Sequence, residues 1–281
     1  MEKASNQGKL SLIETISLAV GFTIGSGIIT QTGIGIGMTG RSIFLAFLVS
    51  AILFLISFRP IFIMSTILPT TSAAYVFSKE LIHEDVGIFY AYVYFLGRMT
   101  IAVFGISLAQ YMASIVPALS GDIAQRIVAI VVLTIFFVIN LFGVKAAAKI
   151  QNIMCIVLIA GLLLYVICGM GKVDYHSYFT NGFMTGGMGG FYSAVSLLYF
   201  AVGGAYIITD FASSIQNASK VMVKVIVGVT LAVCAIYMLM GMVASGSVPV
   251  EQAAGKPLTI SALVVMPNAV CYIFFVVGAC I

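Results

Sequence analysis

The chain has 281 residues; 62% are hydrophobic, 8% are charged, and the formal net charge is +4. A soluble domain carries about 25% charged residues, so a water-facing globule of this size is excluded and the composition reads as a membrane protein. No cluster of Lys and Arg interleaves with aromatics, so nucleic acid has no support as a partner.

At about 20 residues per span the length holds roughly eight transmembrane helices. Eight apolar stretches occur in chain order: 11–36, 41–68, 87–116, 124–143, 149–170, 188–212, 221–245 and 258–281. The runs are continuous rather than alternating, and in lipid only a helix satisfies its own backbone within such a segment. The expectation is an all-α polytopic membrane protein, a single membrane domain over 1–281.

Span one reads Val20-Gly21-Phe22-Thr23-Ile24-Gly25-Ser26-Gly27-Ile28. Each glycine inside a helix costs about 1 kcal/mol relative to alanine, and three fall here at one depth. Span two ends near Arg59, which reads as an interfacial anchor. The connection 69–86 carries Lys79, Glu80, Glu84 and Asp85 and suits a short interfacial helix. Span three carries Arg98 about eleven residues in, roughly 17 Å deep at 1.5 Å per residue. An arginine there costs at least about 2.5–3.5 kcal/mol unless it is paired or faces water.

Putting the N-terminus inside gives that side Lys3, Lys9, Lys79, Lys145, Lys149, Lys220 and Lys224, against Arg41, Arg126, Lys172 and Lys256 outside. The bias matches the positive-inside rule. Span six reads Tyr199-Phe200-Ala201-Val202-Gly203-Gly204-Ala205-Tyr206, again with glycines about halfway across. Small residues also serve close helix packing. Spans one and six, however, open two successive five-helix units, and interruptions at corresponding positions point to a transporter site at the midplane. Unwound N–H groups there suit a carboxylate, and freed carbonyls suit an ammonium or cation.

Other chemistry is not encoded. Cys155, Cys168, Cys234, Cys271 and Cys280 lie in apolar runs without CxxC spacing and read as buried thiols. His83 and His176 are loop residues away from paired carboxylates, so no metal or other cofactor is expected. Gly186-Gly187-Met188-Gly189-Gly190 lacks the Lys-Ser/Thr of a phosphate loop. No nucleophile pattern occurs, and the chain is not expected to be an enzyme.

Four motifs keep their order across essentially the whole chain: Gly25-Ser26-Gly27-Ile28 with Gly37 and Thr39-Gly40; Leu68-Pro69 through Ser72-Ala73-Ala74-Tyr75; Asn140-Leu141-Phe142-Gly143-Val144-Lys145 with Lys149 and Gln151; and Phe200-Ala201-Val202-Gly203-Gly204 through Gln216-Asn217. In these the sequence resembles amino acid permeases of the amino acid–polyamine–organocation (APC) superfamily. The resemblance implies a five-plus-five inverted-repeat transporter fold with two further helices, alternating access around a central site, and plasma or inner membrane location. It implies a small-molecule substrate, an amino acid or related amine, coupled to a proton, sodium or an exchanged substrate. Carried over residue by residue, it nominates Gly25, Ser26, Gly27 and Ile28 of span one and Phe200, Gly203 and Gly204 of span six as substrate-binding. It also puts Arg98 at a site-lining position, where it would favour extra negative charge on the substrate.

The sequence departs from the family near the end of span six. Tyr206 stands where many members have a glutamate, and Ser213-Ser214 where they have an acidic pair. Asp210 remains, and is expected to cap the helix or pair with Lys220 or Lys224. Against twelve family spans, the chain is expected to hold the first repeat (1–170) and spans six to eight of an incomplete second (188–281). Its stop at Ile281 inside an apolar run leaves a competing reading, a truncated or degenerate permease or a helper subunit without transport activity.

Overall fold

The computed structural model describes residues 9–99, 101–179 and 182–280; the side chains of residues 26, 27, 98, 103, 114, 115, 144–148, 179, 279 and 280 lie outside the description. The chain is an all-α polytopic membrane protein. Span one is two helices, α1 (Leu12–Thr23) and α2 (Ser26–Thr39). Span two is α3 (Ile43–Ser57) and α4 (Arg59–Ile67), followed by a short α5 (Ala73–Leu81). Span three is α6 (Glu84–Arg98) and α7 (Ile101–Ile115). Spans four and five are α8 (Asp122–Leu141) and α9 (Val144–Met170). Span six is α10 (Gly187–Val202), continued by a 3-10 segment, Gly203–Asp210. Span seven is α11 (Ala218–Gly246); a turn of helix, α12 (Val250–Ala253), leads to α13 (Thr259–Val265) and α14 (Ala269–Cys280), which make up span eight.

Among the described residues, five stretches are long and apolar enough to cross a membrane: Ile28–Ser57, Asp122–Leu141, Lys149–Met170, Gly187–Asp210 and Ala218–Gly246. The shortfall from eight has local causes. Span one is interrupted at Ile24–Gly25 and span two at Phe58, and in span three the helix α6 ends at Arg98. Span eight is cut at Met266, whose extended backbone (ψ 136°) precedes Pro267; a residue before proline is pushed out of the helical region.

The start of α1 is fixed by a capping box. The Ser11 backbone N–H donates to Glu14 Oε2 at 2.8 Å, and the Glu14 N–H donates back to Ser11 Oγ at 3.4 Å, which satisfies otherwise orphaned donors at a helix start. Packing then brings non-sequential spans together. α2 runs against α10, α1 against the 3-10 segment, and α10 and α11 both lie on α3. α14 packs on α9 and α7, while α9 and α11 flank α1. The core is continuous through these helices, with Phe47, Phe54, Tyr165, Tyr237 and Phe275 fully buried.

Both ends of the bundle are tied by backbone pairing. At the N-terminal end the Leu10 N–H donates to Ser214 O at 2.7 Å and the Gln216 N–H donates to Leu10 O at 3.0 Å. Alongside, the Ser72 N–H donates to Asp210 O at 3.1 Å. At the opposite end the Arg41 and Ser42 N–H groups donate to Gly182 O and Phe183 O at 3.1 and 2.8 Å. There Arg41 Nε also donates to Ser245 O at 3.2 Å. Burial pushes the neighbouring Tyr178 phenol above its ordinary pKa, opposed by its Ser245 hydrogen bond and the Arg41 charge.

Candidate functional site

The two interrupted spans cross at their interruptions. Ile24 (φ −93°, ψ 104°) and Gly25 (φ −129°, ψ 179°) are extended between α1 and α2. The last carbonyls of α1 and first N–H groups of α2 therefore have no intrahelical partner. Span six behaves differently. Its α-helix does not pass into extended backbone at the glycines but tightens into the 3-10 segment, with Gly203 at φ −82°, ψ −9°.

Gly204 meets span one directly, because a β-carbon built on it would collide with the Phe22 carbonyl. Gly203 is buried against the Phe54 ring, which a β-carbon would reach at 3.0 Å. Gly25 is the opposite case: a β-carbon there meets nothing within 4 Å. The crossing is thus tight on the Gly204 side and open on the Gly25 side.

The remaining nominated residues divide. Phe200 is 73% exposed, one turn before the 3-10 segment, and so does not belong to the packed core. Ile28 is 3% exposed, and its N–H already donates to Gly25 O at 3.2 Å; its side chain serves the core, not the open side of the break. Ser26 and Gly27 open α2, but their side-chain placement lies outside the described residues, as does that of Arg98. By backbone, Arg98 is the last residue of α6.

Side chains from other spans brace the break. The Tyr237 hydroxyl of α11 donates to Thr23 O at 3.0 Å, reaching a C-terminal carbonyl of α1. Thr30 and Tyr111 link α2 to α7 at 2.8 Å. Cys155 Sγ of α9 donates to Ser17 O at 3.1 Å. None of these was singled out from the sequence; the available signal was that a buried tyrosine hydroxyl needs a partner.

Near the end of span six the Asp210 carboxylate accepts from the Tyr94 hydroxyl at 3.1 Å, linking span six to span three. Tyr206, at the position of the family's glutamate, packs its ring against Phe58, tilted by 38° with ring centroids 5.0 Å apart. Among the described residues no cluster of three or more His, Cys, Asp or Glu is arranged to hold a metal ion.

Sequence comparison bears on the same chain. The family model described as amino acid permease matches residues 10–281. The branched-chain amino acid permease BcaP of Bacillus subtilis is 23% identical over 265 residues, 88% of this chain and 56% of that protein. The serine/threonine exchanger SteT of the same organism is 24% identical over 233 residues, 82% of this chain and 52% of that protein. Its methylthioribose transporter is 24% identical over 280 residues, 93% of this chain and 60% of that protein. The chain spans a little over half the length of these curated relatives.

Proposed function

This chain belongs to the amino acid permease family, and from that premise we propose that it acts as a secondary active transporter of amino acids or related amines, not an enzyme. The observation that carries the reading is the crossing of spans one and six. The extended backbone at Ile24–Gly25, open beside Gly25, lies in the span whose Phe22 carbonyl abuts Gly204. Irregular backbone at such a depth is tolerated where it lines a cavity or binds something.

The substrate carboxylate sits at the N-terminus of α2, on the backbone of Gly25, Ser26 and Gly27, where orphan N–H groups and the positive end of the helix dipole favour an anion. Its ammonium faces the carbonyls of the interrupted backbone. Gly203 and Gly204 keep span six close enough to complete the site, and Phe200 covers it. Ile28 contributes backbone rather than side chain. Arg98 favours substrates with extra negative charge. The spans rearrange by alternating access, 1–170 forming one five-helix repeat and 188–281 the start of the second. Transport is coupled to a proton, sodium or an exchanged substrate across the cell membrane. The lysine bias supports a cytoplasmic N-terminus.

The experiment is counterflow of labelled leucine, threonine and serine into liposomes carrying the purified chain. Saturable uptake that exceeds empty liposomes supports the reading. Its absence, for protein that is folded and inserted, overturns it.

A further inference from the structure

The outward face of span seven plays no part in the crossing. Helix α11 runs 29 residues from Ala218 to Gly246, about 43 Å at 1.5 Å per residue. The hydrocarbon core of a bilayer is about 30 Å thick, so the first turns of α11 reach the headgroup layer. Lys220 and Lys224 stand there, one helical turn apart and both exposed. Like charges at this spacing repel, and an anion held between them relieves the repulsion.

The same face continues as an apolar stripe. At about 100° per residue, Lys220, Lys224, Gly228, Leu231 and Ala235 fall within about 80° of one another, and all of them are exposed. The opposite face, with Met222, Ile226, Val229, Val233 and Tyr237, is buried. Gly228 makes a notch in the stripe: a β-carbon built there meets nothing within 4 Å. Glycine inside a helix is costly relative to alanine, and no neighbouring backbone requires one here. The notch lies one further turn, about 6 Å, into the membrane from Lys224.

We propose that this face of span seven binds an anionic phospholipid, its phosphate bridging Lys220 and Lys224 and an acyl chain lying over Gly228 and Leu231. Charge complementarity selects an anion at the membrane surface. The run of the lysine pair into an outward apolar stripe selects an anion that carries a hydrocarbon chain rather than free phosphate. Such a site depends on the membrane setting alone and stands whether or not the chain transports.

The test uses the purified 281-residue chain carrying Leu231→Trp, a sole reporter because the chain has no tryptophan of its own. It is reconstituted into phosphatidylcholine bilayers in which a fixed fraction of the lipid is brominated phosphatidylglycerol or brominated phosphatidylcholine. Bromine quenches an indole that it touches, so the ratio of the two quenching curves gives the lipid preference. Phosphatidylglycerol is expected to be preferred at least about tenfold, and Lys220→Gln with Lys224→Gln to bring the ratio to about one. Arg126→Gln, on α8, is expected to leave it unchanged. If the double variant misfolds, the single variants decide, each lowering the preference about fivefold. Equal quenching by the two lipids in the reporter protein overturns the proposal, as does a preference indifferent to both lysines. A preference abolished by millimolar inorganic phosphate at constant ionic strength assigns the anion to solution and overturns the lipid. Quenching by neither lipid shows that protein covers the stripe, and overturns it as well.

Discussion

The Tyr237 hydroxyl, fully buried in span seven, donates to the Thr23 carbonyl at the end of α1, 3.0 Å away. The bond falls where the helix of span one stops, and it satisfies an acceptor that the interruption would otherwise orphan. Helix α11, the longest among the described residues, thereby braces the end of the first half of span one.

Removing that hydroxyl leaves a buried carbonyl unpaired. Tyr237→Phe is expected to cost about 1–3 kcal/mol, seen as a lower melting temperature in detergent. Tyr237→Phe melting with the wild type would mean that the break is held by other contacts.

The two glycines at the crossing are expected to respond oppositely to one added methyl. Gly204→Ala drives a β-carbon into the Phe22 carbonyl and is expected to cost about 1–3 kcal/mol through overpacking. Gly25→Ala points its methyl into open space from extended backbone that any residue adopts. It should leave the melting temperature unchanged while lowering substrate uptake at least about tenfold, as small displacements of a bound group do. Equal melting temperatures for the two variants would contradict the packing described for Gly204.

How these features relate to the sequence differs from residue to residue. Composition and unbroken apolar runs carry the membrane architecture, because lipid imposes helix on such segments. Glycine density marks where a helix is weak, not what replaces it: near Gly25 the backbone is extended, while at Gly203–Gly204 it winds into a 3-10 segment. The steric distinction between Gly204 and Gly25 depends on which backbone passes nearby, and no local pattern encodes that. The same holds for the hydrogen bond that Asp210 accepts from Tyr94, 116 residues away in sequence. Ile28 sits in the nominated motif yet packs into the core, so a motif identifies a backbone site more reliably than the side chains that line it.

The pairing of Leu10 with Ser214 and Gln216 ties the start of α1 to the end of span six. Leu10→Pro removes the N–H that donates to Ser214 O at 2.7 Å. Losing one hydrogen bond of about 1 kcal/mol should make opening of α1 about fivefold more frequent. Cys155, buried against Ser17 O of α1, is a built-in reporter. With the other four cysteines changed to alanine, Leu10→Pro should raise the maleimide labelling rate of Cys155 about fivefold. An unchanged rate would show that the pairing does not restrain α1.

Arg98 is proposed to select for negative charge. Glutamate is expected to compete with leucine for uptake in the wild type and in Arg98→Lys. In Arg98→Ala its competition should weaken at least about tenfold, the loss of one charge-assisted bond of about 1.5–3 kcal/mol. The same competition profile in all three proteins would remove Arg98 from the substrate cavity.

The most direct test of the transport site is leucine counterflow by the wild type and by Gly25→Leu, measured beside the melting temperature of each. A β-carbon at Gly25 meets nothing within 4 Å, so both proteins are expected to melt together. Saturable uptake in the wild type and none in Gly25→Leu is the predicted result. Equal uptake by the two folded proteins would contradict a substrate site at the interruption of span one.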